Sequence, residues 1–207
     1  MPCREERLAR VSQEQFGLVT RKQLLEMGYT GSGITRASSK GELMCHLPGV
    51  WRVAAVRPCW EQRALGAVLW GGVITVTSHL TSAQLQDLLP LQTGVVEITS
   101  DHRLRRRSGI AIHSSRLLPT EIVNVRGIPS TSAYRTLIDL CGLHTVEVSE
   151  AALDAALRMK RVTIERLNEY AEEASGRSLR GARLLHKLLA VRGVDEALTK
   201  VRSSISL

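Results

Sequence analysis

Ser32, Thr35, Arg36, Ser39 and Lys40 recur at steps of three and four residues. That spacing gathers them on one face of a helix, with Ile34 and Ala37 left for the opposite face. Hydroxyls and cations in that pattern are donors and acceptors suited to base edges in the major groove of duplex DNA. Arg21 and Lys22, eleven and ten residues upstream of the first of these groups, suit phosphate contacts, and Arg52 is placed to reach the backbone or the minor groove. A second basic cluster, Arg103, Arg105, Arg106 and Arg107 with Arg116 nearby, is expected to extend a DNA-facing surface from a loop between two strands.

Other chemistry is poorly served. His79 follows Ser78, but no acid stands at a motif spacing from the pair, and Ser78 is better read as the cap of a following helix. Asp139, Asp154, Glu97 and Glu165 form no recognisable metal or nuclease arrangement, and there is no phosphate-binding glycine loop or HExxH pattern. Cys3, Cys45, Cys59 and Cys141 lack the close pairing that zinc requires and are expected to act as small buried apolar residues. The sequence therefore predicts a protein that is not an enzyme, with no catalytic residues, no metal and no cofactor.

The elements that must hold the first cluster follow from periodicity and caps. Leu8, Val11 and Phe16 mark a first helix over residues 4–16, closed at Gly17. Thr20 caps a short helix from Arg21 to Met27, with Leu24 and Leu25 facing inward and Gly28 as its stop. A turn over residues 28–30 leads into the third helix, running to about Lys40. Leu43 to Ala55 reads as strand, Pro48-Gly49 turn and strand, a candidate wing. Together these make a winged helix-turn-helix over residues 1–57.

Arg57-Pro58 marks the expected boundary of a second domain, 58–207. Pro58 opens a helix at its first position, with periodicity from Trp60 to Trp70. Strands are expected at Val73 to Thr77, Val95 to Thr99, Ile110 to His113 and Ile122 to Val125, with a helix from Leu80 to Leu89 between the first two. Ser132 caps a helix ending at Cys141 and stopped by Gly142, and three more follow at about 147–159, 163–174 and 179–192. Val148, Ala152, Ala155 and Met159 form an apolar stripe on the first of those three. Beyond Gly193 no further domain is expected. The fold class is mixed α/β (α+β): an N-terminal winged helix-turn-helix, then a larger domain with a small sheet and a helical C-terminal part.

A hydrophobic fraction of 43% over 207 residues supports a sizeable core. The net charge of +8 favours a polyanionic partner. No apolar run reaches membrane-span length, and the charged N-terminus does not open a secretory signal, so a cytoplasmic protein is expected.

Four segments in this order carry a family resemblance: Phe16-Gly-Leu-Val-Thr-Arg-Lys-Gln-Leu-Leu25, Leu47-Pro-Gly-Val-Trp-Arg-Val53, Ser78-His79 with its helix, and Arg126-Gly-Ile-Pro-Ser-Thr131 followed by Arg135-Thr-Leu-Ile-Asp-Leu140. The chain resembles the AbiEi-like antitoxins of bacterial type IV toxin-antitoxin (abortive infection) systems. The resemblance implies a transcriptional repressor of its own operon that binds inverted-repeat operator DNA, two copies to a site, through the winged helix. It also implies a C-terminal domain that counters a cognate nucleotidyltransferase toxin. Two other readings stand beside it: a protein-interaction module that neutralises a toxin without DNA binding, and a stand-alone transcriptional regulator.

Overall fold

The computed structural model describes residues 3–90 and 94–192. The expectation about the tail beyond Gly193 falls outside the described residues. Two compact units emerge, one of Met1–Thr77 with Thr93–Ser130 and one of Ser78–Gln92 with Thr131–Leu207. No helix among the described residues is long and apolar enough to cross a membrane.

In the first unit, α1 (Arg4–Glu14) opens on a reciprocal cap. The Cys3 Sγ accepts from the Glu6 N–H and the Glu6 carboxylate accepts from the Cys3 N–H, satisfying two donors that a helix start leaves orphaned. A strand the sequence reading missed, β1 (Leu18–Thr20), follows. It pairs antiparallel with β3 (Val50–Val53), which pairs in turn with β2 (Leu43–Leu47), giving the order β1-β3-β2. Three residues are too few to show alternation, which is why β1 was illegible.

Thr20 ends β1 and caps α2 (Arg21–Glu26) as expected. Its Oγ1 accepts from the Gln23 N–H at 3.2 Å while the Gln23 Oε1 accepts from the Thr20 N–H at 2.8 Å. Only Leu24 faces inward; Leu25 is 46% exposed, since adjacent helical residues lie about 100° apart and a helix this short buries one narrow stripe. Thr30 caps α3 (Gly31–Ser39), whose Ile34 and Ala37 are buried with Val19, Leu24, Met27 and Leu43. Gly49 closes the β2–β3 hairpin with φ +81°, in the left-handed region that favours glycine, and its carbonyl accepts from the Arg21 N–H at 2.8 Å.

Helix α4 (Trp60–Gly71) starts two residues later than Pro58 would have set it. Gln62 decides the start: its Oε1 accepts from the Cys59 N–H, and its Nε2 donates to the carbonyls of Phe16 and Arg57. Ala67 and Val68 then pack on one face of a second sheet, against Val96 and Ile98. That sheet contains β4 (Thr75–Thr77), β5 (Val96–Ser100), β6 (Ile110–Ser114), β7 (Ile122–Val125) and β8 (Ile128–Thr131) in the order β6-β5-β4-β8-β7. β4 runs antiparallel to β5 and parallel to β8, and β5 runs parallel to β6. Pro129 hid β8, because a proline argues against an interior strand. It is tolerated here because the registered overlap of β4 with β8 is a single pair, Thr77 with Ser130.

The second unit is helical: α5 (His79–Leu85), α6 (Ala133–Leu143), α7 (Val146–Arg158), α8 (Ile164–Gly176) and α9, residues 182–192. α5 is shorter than expected, and Asp87 just beyond it has φ +62°. Ser132 caps α6 through the Arg135 N–H, as expected, but the helix runs through Gly142 rather than stopping there. Close approach explains both glycines at this contact. A Cβ on Gly181 would lie 1.8 Å from the Ile138 carbonyl oxygen, and one on Gly142 would lie 3.1 Å from the Gly181 nitrogen. The stripe expected on α7 is largely core: Ala152 and Ala155 are buried among Leu137, Leu153, Leu167 and Leu185, while Met159 is 37% exposed.

Two polar clusters are sealed into this unit. Ser82, Gln86, Thr131 and Thr136 bond to one another, with Ser82 Oγ to Thr136 Oγ1 at 2.8 Å and Gln86 Nε2 to the Thr131 carbonyl at 3.1 Å. Arg135 Nε donates to Asp139 Oδ1 at 2.8 Å, one turn apart on α6 with both residues buried. Hydrogen bonding of this kind is what makes buried polar groups tolerable.

Candidate nucleic-acid interface

Arg21 is the residue through which α2, α3 and the hairpin turn meet. Its backbone N–H holds the Gly49 carbonyl, and its guanidinium Nη2 lies 3.4 Å from where a Cβ on Gly31, the first residue of α3, would stand. α1 fixes the turn between α2 and α3 from the other side. The Arg7 guanidinium donates to the Met27 carbonyl at 2.8 Å, and Arg4 sits over the Tyr29 ring at 4.4 Å. Arg4 and Arg7 were missed as positioning residues, because a contact that joins two helices leaves no trace in the periodicity of either.

All the polar residues expected on the third helix are exposed: Ser32, Thr35, Arg36, Ser39 and Lys40. The opposite face is buried through Ile34 and Ala37, so the helix is anchored by one side and offers the other. The Thr35 Oγ1 donates to the Gly31 carbonyl at 3.1 Å and the Thr30 and Ser32 hydroxyls bond at 3.1 Å, which leaves both side chains able to accept. Lys40 meets Glu42 and Lys22 meets Glu26, each at 3.9 Å and well exposed. Pairs of that kind contribute about 0–1 kcal/mol and give way readily to a stronger anion.

Arg21 and Lys22 occupy the first turn of α2, where the helix dipole favours anions and no acidic residue is present. The helix itself gains nothing from cations there. Arg52 differs from the other basic residues expected to meet DNA: it is half-buried, and its guanidinium is bonded to the Val56 and Ala54 carbonyls and lies against the Met44 sulfur, closing the base of the hairpin. His46, on β2, packs so tightly against α4 that a Cβ on Gly66 would lie 2.5 Å from its ring, and burial pushes its pKa down from the usual 6.5.

Arg103, Arg105, Arg106, Arg107 and Arg116 are all exposed. The first four form the loop entering β6. From that loop Leu104 packs, as do Trp70 and Ile110, against the Ala67, Val68, Val96 and Ile98 cluster, and Arg107 lies 6.0 Å from the Trp70 ring centroid. At the other residues singled out for chemistry, Ser78 stands at the N-cap of α5 as expected, but its hydroxyl meets the His79 Nδ1 at 2.9 Å and makes no cap bond. The cysteines depart from expectation. Cys3, Cys45 and Cys59 are exposed, two of them at helix N-caps and the third on β2, while Cys141 alone is buried. Burial pushes the Cys141 thiol up to about 11.

The protein class these observations define is a mixed α/β protein that joins a basic helix-and-hairpin unit, a five-stranded sheet and a helical bundle. The model of the AbiEi antitoxin C-terminal domain matches residues 75–191, more than half of the 207 residues, and the chain belongs to this antitoxin family. The matched segment begins at β4, so α1 to α4 precede it. No curated protein matches. Among solved structures, the chain is similar to the crystal structure of the RV2827C protein from Mycobacterium tuberculosis, with a TM-score of 0.53 and 14% identity over 83% of this chain and 72% of that one. At that identity the likeness is one of fold.

Proposed function

We propose that this antitoxin represses its own operon by binding inverted-repeat operator DNA through a winged helix-turn-helix within residues 1–57, and that residues 58–207 counter a cognate nucleotidyltransferase toxin. The observation that carries the DNA-binding part is the α3 face: its polar and basic side chains point outward, and the helix is held from behind by Ile34 and Ala37. The order α1, β1, α2, α3, β2, β3 with sheet order β1-β3-β2 supports a winged helix, since it sets the hairpin turn beside the start of α2. In this reading α3 enters the major groove with Arg36 and Lys40 at base edges, Ser32, Thr35 and Ser39 beside them, and Arg21 and Lys22 on phosphates. Arg52 acts mainly by holding the hairpin in shape. Inverted repeats call for two copies, one to each half-site. The protein works in the cytoplasm as a regulator without catalysis of its own.

A gel shift on the protein's own upstream region, with competitor DNA, tests the reading against Arg36→Ala/Lys40→Ala. Specific retardation that disappears in the variant is expected. No retardation at micromolar protein would leave a toxin-neutralising module that does not bind DNA. A two-gene growth assay, expressing the proposed cognate nucleotidyltransferase with and without this chain, tests the antitoxin part. Unrelieved toxicity would favour a stand-alone regulator.

A further inference from the structure

The five-stranded sheet ends on one side at β6, whose ladder runs only to β5. The Val96 N–H donates to the Gly109 carbonyl at 2.9 Å. From that bond, the alternation of a parallel ladder turns the amides of Ala111 and His113 toward β5 and those of Ile112 and Ser114 away from it. Among the described residues nothing pairs with the outward amides of Ile112 and Ser114. A groove lined by Arg106, Arg107, Ser108, Ile110, Ala111 and Ile112 follows this edge. Ala111 points to the opposite face of the sheet from Ile110 and Ile112, so a groove that touches all three runs along the edge rather than over a face.

The loop beside the edge is fixed rather than loose. Leu104 is packed beneath it, Arg107 pairs with Ile110 across a Ser108-Gly109 turn, and Arg103, Arg105 and Arg106 are left exposed with no carboxylate partner among the described residues. An open edge beside a row of unpaired cations has a definite complement. We infer that this edge is a docking site for an extended, acidic segment of a protein partner, which adds to β6 as a further strand while its carboxylates meet Arg103, Arg105 and Arg106. Charge complementarity alone would also suit duplex DNA. A duplex, however, has no alternating N–H and C=O groups to complete a ladder and no use for the Ile110 and Ile112 lining. The inference deepens the antitoxin reading by naming a surface for a protein partner.

The test is a fluorescence-anisotropy titration of the full chain with a labelled decapeptide of alternating glutamate and valine. The comparison probes are the same peptide N-methylated at alternate amides and a labelled duplex of random sequence. Ser114→Pro removes an outward amide and fills the edge while changing an exposed side chain. Arg105→Glu/Arg106→Glu reverses the charge. Each variant is expected to weaken peptide binding at least tenfold, as is N-methylation of the peptide. Ser114→Pro is expected to leave duplex binding unchanged, and peptide saturation should slow hydrogen exchange at the Ile112 and Ser114 amides. The N-methylated probe keeps the test decisive on the unmodified protein should Ser114→Pro fold poorly. Peptide binding that survives N-methylation would reduce the edge to a charged surface and overturn the inference. Retention of duplex without peptide would assign these arginines to phosphates and overturn it equally. The growth assay reports on the antitoxin reading independently, so the two failures are distinct.

Discussion

Salt dependence offers a quantitative test of the proposed DNA surface. Arg21, Lys22, Arg36 and Lys40 are exposed, and the carboxylates that meet Lys22 and Lys40 do so in loose pairs that phosphates readily displace. If each cation, whether on a phosphate or in the groove between them, displaces one condensed counterion, at about −0.9 per contact, log K should fall against log salt with a slope of roughly −3.6 per copy bound. Raising salt from about 50 to about 200 mM then weakens binding ~150-fold. In Arg36→Ala/Lys40→Ala the slope should be about −1.8, and the same salt step should cost only ~12-fold. Arg21→Ala/Lys22→Ala should lose the same amount of slope yet keep its preference for the operator over a scrambled duplex, because phosphate contacts carry no sequence information. Anisotropy titrations at four salt concentrations with both duplexes measure slope and preference together. A slope that does not move in the α3 variant, or an α2 variant that loses preference as fully as the α3 variant, would refute this assignment of roles.

Removing the cap of α2 with Thr20→Ala should cost about 1 kcal/mol; thermal unfolding that shows no loss would mean that the Thr20–Gln23 box contributes nothing. Gly181→Ala forces a Cβ onto the Ile138 carbonyl and should destabilise by about 1–3 kcal/mol, measured by urea unfolding, with wild-type stability counting against the close approach. Cys3, Cys45 and Cys59 should react quickly with a thiol reagent at pH 8 while Cys141, raised to about 11 by burial, reacts only on unfolding; four fast thiols would contradict its burial. Burial lowers the pKa of His46, so the unfolded chain takes up its proton first: this contribution to stability is complete above about pH 6.5 and declines as pH falls below it. His46→Gln should flatten that part of the stability profile between pH 7 and pH 5, and an unchanged slope would remove His46 as its source.

The caps were the most legible part of the sequence. Thr20, Ser132 and the Pro48-Gly49 turn each act locally, and each does what its residue type predicts. The polar face of α3 was legible for the same reason, since Ile34 and Ala37 fix its phase. Long-range contacts wrote over local signals elsewhere. Gln62 sets the start of α4 by reaching Phe16, 46 residues away, and Gly142 stays helical because Gly181 lies against it. β8 was hidden by a proline whose missing donor is harmless only in a particular pairing. The open edge of β6 was equally out of reach, because strand order, unlike strand content, is not a property of any segment.

The Ser82–Gln86–Thr131–Thr136 cluster also bears on how the chain is made. Ser82 and the Thr131 carbonyl it donates to are 49 residues apart, and most of the residues between them belong to the other compact unit. At about 5–20 residues per second on a ribosome, α5 emerges roughly 2–10 s before the strand end and helix that will satisfy it. During that interval the Ser82 hydroxyl still lacks Thr131 and Thr136, and Ala83 lacks the helices α6 to α9 with which it forms one core, so α5 is a segment on which chaperone cover during synthesis should act.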